Sequence, residues 1–169
     1  VDLLDRQATK AAIAGAAERF GPIDVLCHLA GGFGQGPPVH ESSDETWDHL
    51  FDLNVPTLLH VAGAVVPQML ANGGGKIITV GAYSAQKGLP NMGAYGAAKS
   101  SVVRLTESMS AELRAHRINV NCVLPGTIDT PENRSAMPGT DPSRWVAPQA
   151  RARPIVFLAS DPPPAIPGA

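Results

Sequence analysis

Ile23-Asp24-Val25-Leu26-Cys27-His28-Leu29-Ala30, closed at once by Gly31-Gly32, is the stretch that decides the architecture. It is too short and too evenly apolar for a surface helix, and the paired glycines stop it abruptly, so it reads as a strand buried in a parallel sheet. On its N-terminal side, residues 6 to 20 place Ala8, Ala12, Ile13, Ala16 and Phe20 at helical spacing and end at Gly21-Pro22. On its C-terminal side, Ser43-Asp44 caps a long amphipathic helix over residues 44 to 70, marked by Trp47, Leu50, Val55, Leu58, Val65 and Met69 and stopped by Gly73-Gly74-Gly75. Lys76-Ile77-Ile78-Thr79-Val80-Gly81 is a second strand, and a second long helix spans residues 92 to 115. Ile118, Val120, Cys122 and Leu124 alternate through a third strand that ends at Pro125-Gly126, and a weak helix follows near residues 146 to 160. Strands joined by helical crossovers define an α/β chain, a parallel sheet with helices on both faces.

Composition agrees and narrows the partners. The chain has 169 residues, a formal charge of −2, 44% hydrophobic and 17% charged residues, the profile of about one globular domain. Thirteen dispersed Lys and Arg residues argue against a nucleic-acid partner, which needs clustered positive charge. No apolar run approaching a bilayer's thickness is expected, hence no membrane partner. The two cysteines, Cys27 and Cys122, lie in separate apolar runs without paired spacing and read as free, buried thiols of a cytoplasmic protein. None of the five histidines stands at metal-ligand spacing with Cys or a carboxylate, so no metal is assigned.

In parallel sheets ligands bind beyond the carboxyl ends of the strands, which directs attention to the segments after Ala30, Val80 and Val123. Tyr95 and Lys99 stand four residues apart at the start of the second long helix. They share a face, where a lysine ammonium is expected to lower the phenol's pKa and make it a usable acid or base.

Ala94-Tyr95-Gly96-Ala97-Ala98-Lys99-Ser100, with Asn54-Val55 before it, the Ala30-Gly31 turn, and Pro125-Gly126 after it, resembles in order and content the short-chain dehydrogenase/reductase family. The resemblance covers essentially the whole chain and implies a Rossmann-like fold, NAD or NADP as cofactor, and hydride transfer between nicotinamide and a small carbonyl or alcohol substrate. It assigns Tyr95 as proton donor or acceptor and Lys99 as the group that lowers its pKa and holds the nicotinamide ribose. Asn54 is expected to position a water linking Lys99 to solvent, with Pro56 kinking the helix just beyond it. Ala30, Gly31, Ile128 and Thr130 are the further cofactor contacts implied. The family's two long helices commonly pack across a two-fold axis, which implies a homodimer or homotetramer. A local similarity to dihydropteridine reductase rests on Ala30-Gly31-Gly32, Gly81-Ala82, and Leu124-Pro125 through Asp129-Thr130-Pro131, Asn133-Arg134 and Met137-Pro138.

The departures are as specific as the matches. The family's catalytic serine falls at Ala82, thirteen residues before Tyr95; Ser84 is the candidate substitute, provided the extended geometry persists past the strand. Loss of such a hydroxyl costs roughly 10²–10³ in rate. The family's Asn-Asn-Ala-Gly turn reads His28-Leu29-Ala30-Gly31, with His28 expected as a satisfied core residue. Gly31-Gly32-Phe33-Gly34-Gln35-Gly36 fits neither phosphate-loop pattern and is expected to be a mobile loop.

The family's GxxxGxG turn is nowhere in the chain, which opens on Val1. Residues 1–169 are therefore expected to be a partial NAD(P)-binding domain, lacking its first βαβ portion, of order 60 residues, and its last strand. The 23 to 30 strand should then be an exposed apolar edge. Pro154 should break the last helix, and Pro162-Pro163-Pro164 should bar its continuation. Two readings differ in class: an NAD(P)-dependent oxidoreductase, and a catalytically inactive remnant that serves only as an oligomerising module.

Overall fold

The computed structural model describes residues 1–160; the triple proline lies outside them. The elements run α1 (Arg6–Phe20), β1 (Val25–His28), α2 (Asp44–Asn54), α3 (Pro56–Asn72), β2 (Gly75–Val80), α4 (Gly93–Leu113), β3 (Ile118–Val123), α5 (Pro131–Ala136) and α6 (Pro148–Ala159), with short 3₁₀ turns between some of them. The three strands form a parallel sheet in the order β1-β2-β3, with His28 opposite Thr79 and Thr79 opposite Cys122.

Period-two alternation splits the strand residues between two faces. Leu26, Ile77, Ile118 and Val120 point to the face covered by Val61, Val65 and Met69 of α3 and Leu113 of α4, with α1 adding Ile13. Leu58, Met69, Ile77, Ile118 and Val120 reach zero exposure there. The opposite face carries Val25, Cys27 and Ile78 and is crossed by α6, whose C-terminal carbonyls at Ala159 and Ser160 accept hydrogen bonds from Lys76 Nζ at 3.2 and 2.6 Å.

Local chemistry accounts for the helix ends. The Asp5 carboxylate accepts from the backbone N–H groups of Gln7 and Ala8, both at 2.9 Å, and starts α1. Gly73 ends α3 in the left-handed region at φ +80°. The expected irregularity at Pro56 is found as a one-residue interruption at Val55 between α2, which stops at Asn54, and α3, which starts at Pro56; Val55 itself stays near helical geometry, its N–H donating to the Phe51 carbonyl at 2.8 Å. Pro56 brings no donor to the Asp52 carbonyl, and next to it the Thr57 hydroxyl donates to the Leu53 carbonyl at 3.1 Å.

Several expectations are corrected. Pro154 does not break α6, which runs through it; this proline is exposed, and the helix leans on the sheet through its other side. Cys27 is exposed rather than buried, and Cys122 half-buried, because β1 is the edge of the sheet and Cys27 lies on its thinly covered face. Residues 44–72 do reach the length and apolarity of a membrane span, contrary to the reading above, but Leu58, Val61, Val65 and Met69 spend that apolarity against the sheet. The expected apolar edge is present, with Val25 and Leu29 exposed on β1 and just beyond it. α5 and the 3₁₀ turns were not legible.

Candidate active site

Beyond the carboxyl end of β1 the chain turns back against α2, and the Asn54 side chain fixes the turn. Its Nδ2 donates to the Leu50 carbonyl at 2.8 Å and the Gly32 carbonyl at 3.2 Å, while its Oδ1 accepts from the Gly32 N–H at 3.2 Å. Gly31 lies at φ +150°, and a Cβ there would sit 2.7 Å from Asn54 Oδ1 and 3.1 Å from Lys99 Nζ. Only glycine lets backbone, amide and ammonium meet so closely. A Cβ at Gly34 would likewise press on Leu50, and the Gly36 N–H donates to the Asn91 carbonyl at 2.9 Å. The glycine segment is thus held at both ends, by the Asn54 side chain at Gly32 and by the Asn91 carbonyl at Gly36.

From β2 the chain enters a 3₁₀ turn at Tyr83–Gln86, anchored where Ser100 Oγ donates to the Ala85 carbonyl at 2.8 Å. Ala82 is buried and packs with Leu50, Ala94 and Tyr95, so the methyl stands where a serine hydroxyl would face the tyrosine. The extended geometry assumed for Ser84 ends at Ala82, yet the turn still brings Ser84 to the cavity wall, beside Tyr83.

Tyr95 and Lys99 lie on the first turns of α4, both buried. The Phe33 ring meets the Tyr95 ring edge-on, with centroids 5.1 Å apart and planes at 75°. Lys99 Nζ donates to the Val80 carbonyl at 3.0 Å. Burial pushes Lys99 below the usual lysine range, opposed more weakly by the neighbouring Cys122. Burial pushes the Tyr95 phenol up, which corrects the expected lowering: desolvation of the phenol outweighs an ammonium on the same helix face.

After β3, Ile128 bridges to Val146 in parallel register, and Asp129 holds Arg134 by two hydrogen bonds of 2.6 and 2.8 Å. Thr130 Oγ1 accepts from the Asn133 N–H at 3.2 Å and caps α5.

A cavity of about 690 Å³ opens over the carboxyl ends of the three strands. Of the predicted site residues, Gly31, Tyr95, Lys99 and Ile128 line it; Ala30, Asn54 and Thr130 do not. Asn54 acts from behind, through Gly32, and Thr130 is committed to its cap. Phe33, Gly81, Lys87, Met92 and Met137 also line the cavity and were missed, although the rule that ligands bind after strand ends covers the loops that bear them. Like Gly81 and Met137, Asn133 was quoted only for the reductase likeness; it lines the cavity too, its Nδ2 donating to the Ile128 carbonyl at 2.8 Å. Among the described residues no group of three or more His, Cys, Asp or Glu gathers in metal-ligating geometry.

His28 departs from the satisfied core residue expected. It is buried, yet its Nε2 has no hydrogen-bond partner among the described residues. Burial, and then the charge of Lys99, holds its pKa down at about 4.

The matches to known proteins agree with this geometry. Residues 1–140 match the family model for short chain dehydrogenases. The inactive 2-(S)-hydroxypropyl-CoM dehydrogenase 2 of Xanthobacter autotrophicus is 37% identical over 142 residues, which cover 83% of this chain and 60% of that protein. The NAD complex of carveol dehydrogenase from Mycobacterium avium superposes with a TM-score of 0.85 at 31% identity, covering 95% of this chain and 67% of its own. A gluconate 5-dehydrogenase from Burkholderia cenocepacia, solved with NADP and tartrate, gives a TM-score of 0.87 at 28% identity, covering 95% and 66%. The chain spans between half and about two thirds of the length of the curated relatives it matches. With three parallel strands, the Tyr95 and Lys99 pair at the head of α4, and this match over most of its length, the chain belongs to the short-chain dehydrogenase family.

Proposed function

We propose that these residues form the catalytic, nicotinamide-facing part of an NAD(P)-dependent oxidoreductase that interconverts a small carbonyl compound and its alcohol. The observation that carries the reading is the convergence of Tyr95 and Lys99 on one cavity at the carboxyl ends of all three strands. The cavity fits a nicotinamide ribose: Gly31 leaves a cradle beside Lys99 and Asn54 that a single Cβ would fill. When bound, the cofactor supplies or accepts the hydride. Tyr95 donates a proton from its hydroxyl to the carbonyl oxygen in reduction, or takes one from the alcohol in oxidation. Lys99 holds positive charge beside the phenol and the ribose site, and Gly31 and Ile128 wall that site. Phe33 and Tyr95, ring to ring, exclude water on one side. Asn54 keeps the Gly31-Gly32 turn in register with α2, a positioning role that leaves its link to solvent water as part of the proposal. Ser84 is the nearest candidate in sequence for the hydroxyl missing at Ala82. Solved family members hold either NAD or NADP, and both are proposed cofactors here. A homodimer or homotetramer through the two long helices completes the proposal.

The test is saturable binding of reduced cofactor by fluorescence, together with a carbonyl-dependent loss of nicotinamide absorbance. Tyr95→Phe should abolish turnover, by about 10³-fold or more, while binding survives. The second reading, an inactive oligomerising module, draws on one observation, the methyl of Ala82 at the serine position. It predicts self-association with no turnover in wild type or variant.

A further inference from the structure

Lys87 stands on the cavity wall between the turn that carries Ser84 and the head of α4. Backbone ties hold its loop from both sides. Before it, the Ala85 carbonyl accepts from Ser100 Oγ at 2.8 Å and the Tyr83 N–H donates to the Pro125 carbonyl at 2.9 Å. After it, the Asn91 carbonyl accepts from the Gly36 N–H at 2.9 Å. The Lys87 side chain is exposed and makes no hydrogen bond or ion pair among the described residues. The wall around it is largely apolar, built by Phe33, Tyr83, Leu89, Met92 and Met137, with no Asp or Glu among the described residues that line it. Asp129, on the loop after β3, holds Arg134 instead. The cavity thus carries two lysines and no carboxylate. Lys99 is engaged, donating to the Val80 carbonyl at 3.0 Å beside the ribose cradle; Lys87 has no such engagement.

We propose that Lys87 sets the substrate class: a small oxo acid, or the matching hydroxy acid, whose carboxylate pairs with the Lys87 ammonium while its carbonyl or alcohol meets Tyr95. This rests on the reading of the cavity as a carbonyl–alcohol site. The apolar wall takes the carbon chain between the two ends, and the hydration that the anion loses on entry is made good at Lys87. A cavity of about 690 Å³ that also takes a nicotinamide ribose favours the smallest such anionic group, the carboxylate. Lysines without acids also draw in anions and turn away compounds that carry an ammonium. Lys87 belongs to the segment from Ala82 to Tyr95, the two positions that face the reacting carbonyl, whereas Gly31, Lys99 and Asn54 build the ribose cradle. The discrimination is modest by construction. Because Lys87 is exposed, a neutral substrate leaves it hydrated rather than stranded, so the preference for the anion is on the order of tenfold, not the roughly 10⁴–10⁵ of a buried polar site.

The experiment sets 2-oxopentanoate, 4-oxopentanoate and 5-oxohexanoate each against its methyl ester, so that the separation of carbonyl and carboxylate varies while the carbon skeleton of each pair does not. With reduced cofactor and wild type, at least one acid should exceed its ester by about tenfold in kcat/KM. Lys87→Gln should lower that acid-to-ester ratio about tenfold, chiefly through KM for the acid, and Lys87→Arg, which keeps the charge, should hold it within about threefold. Esters favoured throughout in wild type, or a ratio that Lys87→Gln leaves unmoved, overturns the proposal. A rise in KM for the cofactor with the ratio unmoved also overturns it, and gives Lys87 to the cofactor's phosphates instead. Binding of the same acids and esters with and without oxidised cofactor, followed by saturation-transfer NMR, reads the contact without turnover. If wild type reduces no carbonyl compound, the oxidoreductase reading fails, and an acid preference in binding that is present in wild type and lost in Lys87→Gln still decides what Lys87 does; its absence in wild type rules the proposal out.

Discussion

The two faces of the sheet are built to different standards. One is sealed by α3 and α4, with Leu58, Met69, Ile77, Ile118 and Val120 at zero exposure. The other is crossed by α6, which leaves Val156 63% and Phe157 50% exposed, and its β1 edge shows Val25 and Cys27. The groups proposed for proton transfer and its positioning hang from the sealed side: Tyr95 and Lys99 on α4 and Asn54 at the end of α2. Precise placement of reacting groups needs a close-packed support, and the support lies where the chemistry is. The thin face contributes Lys76 and its hold on the end of α6, but none of the proposed catalytic atoms.

The largest expected effect that can break this comparison is energetic. Leu58→Ala, on the sealed side, should cost about 2–5 kcal/mol in a denaturant melt, and Phe157→Ala, on the thin side, less than about 1 kcal/mol. Equal losses would mean that the two faces carry the fold together. A smaller effect sharpens the comparison within the site. Ala82 packs on Tyr95 from the sealed side, so Ala82→Ser should place a hydroxyl beside the phenol and raise kcat/KM roughly tenfold or more, whereas Ser84→Ala should change it less. The opposite ranking would show that the turn after β2 already supplies the missing group.

The fold was legible because its strands are apolar runs closed by Gly or Pro and its long helices keep their period. The interruption just before Pro56 was legible for the same reason that it exists, a missing N–H donor. Pro154 misled, since the rule against prolines within helices weighs less where one side of the helix is exposed. In the site, the Tyr95 and Lys99 spacing read correctly as one helix face, but spacing does not tell where an ammonium points, and burial reversed the expected effect on the phenol. Thr130 caps α5, and Thr130-Pro131-Glu132 is a helix start signal legible in its own right. The Asn54 clamp on Gly32 and the Phe33 contact with Tyr95 join residues far apart in the chain through loop conformation, which periodicity does not encode. The unpaired nitrogen of His28 was beyond reach for a related reason: a pattern predicts burial, but not whether a buried atom finds a partner.

The central claim is that the sealed face presents a working acid/base beside a nicotinamide site. It is tested most directly by supplying reduced cofactor deuterated at the transferable position, with a panel of small ketones, to wild type and Tyr95→Phe in parallel. Deuterium on the carbinol carbon of the product with wild type, and none with the variant, is the predicted result. Cofactor that binds and is never oxidised by any ketone, in wild type as in the variant, would contradict it.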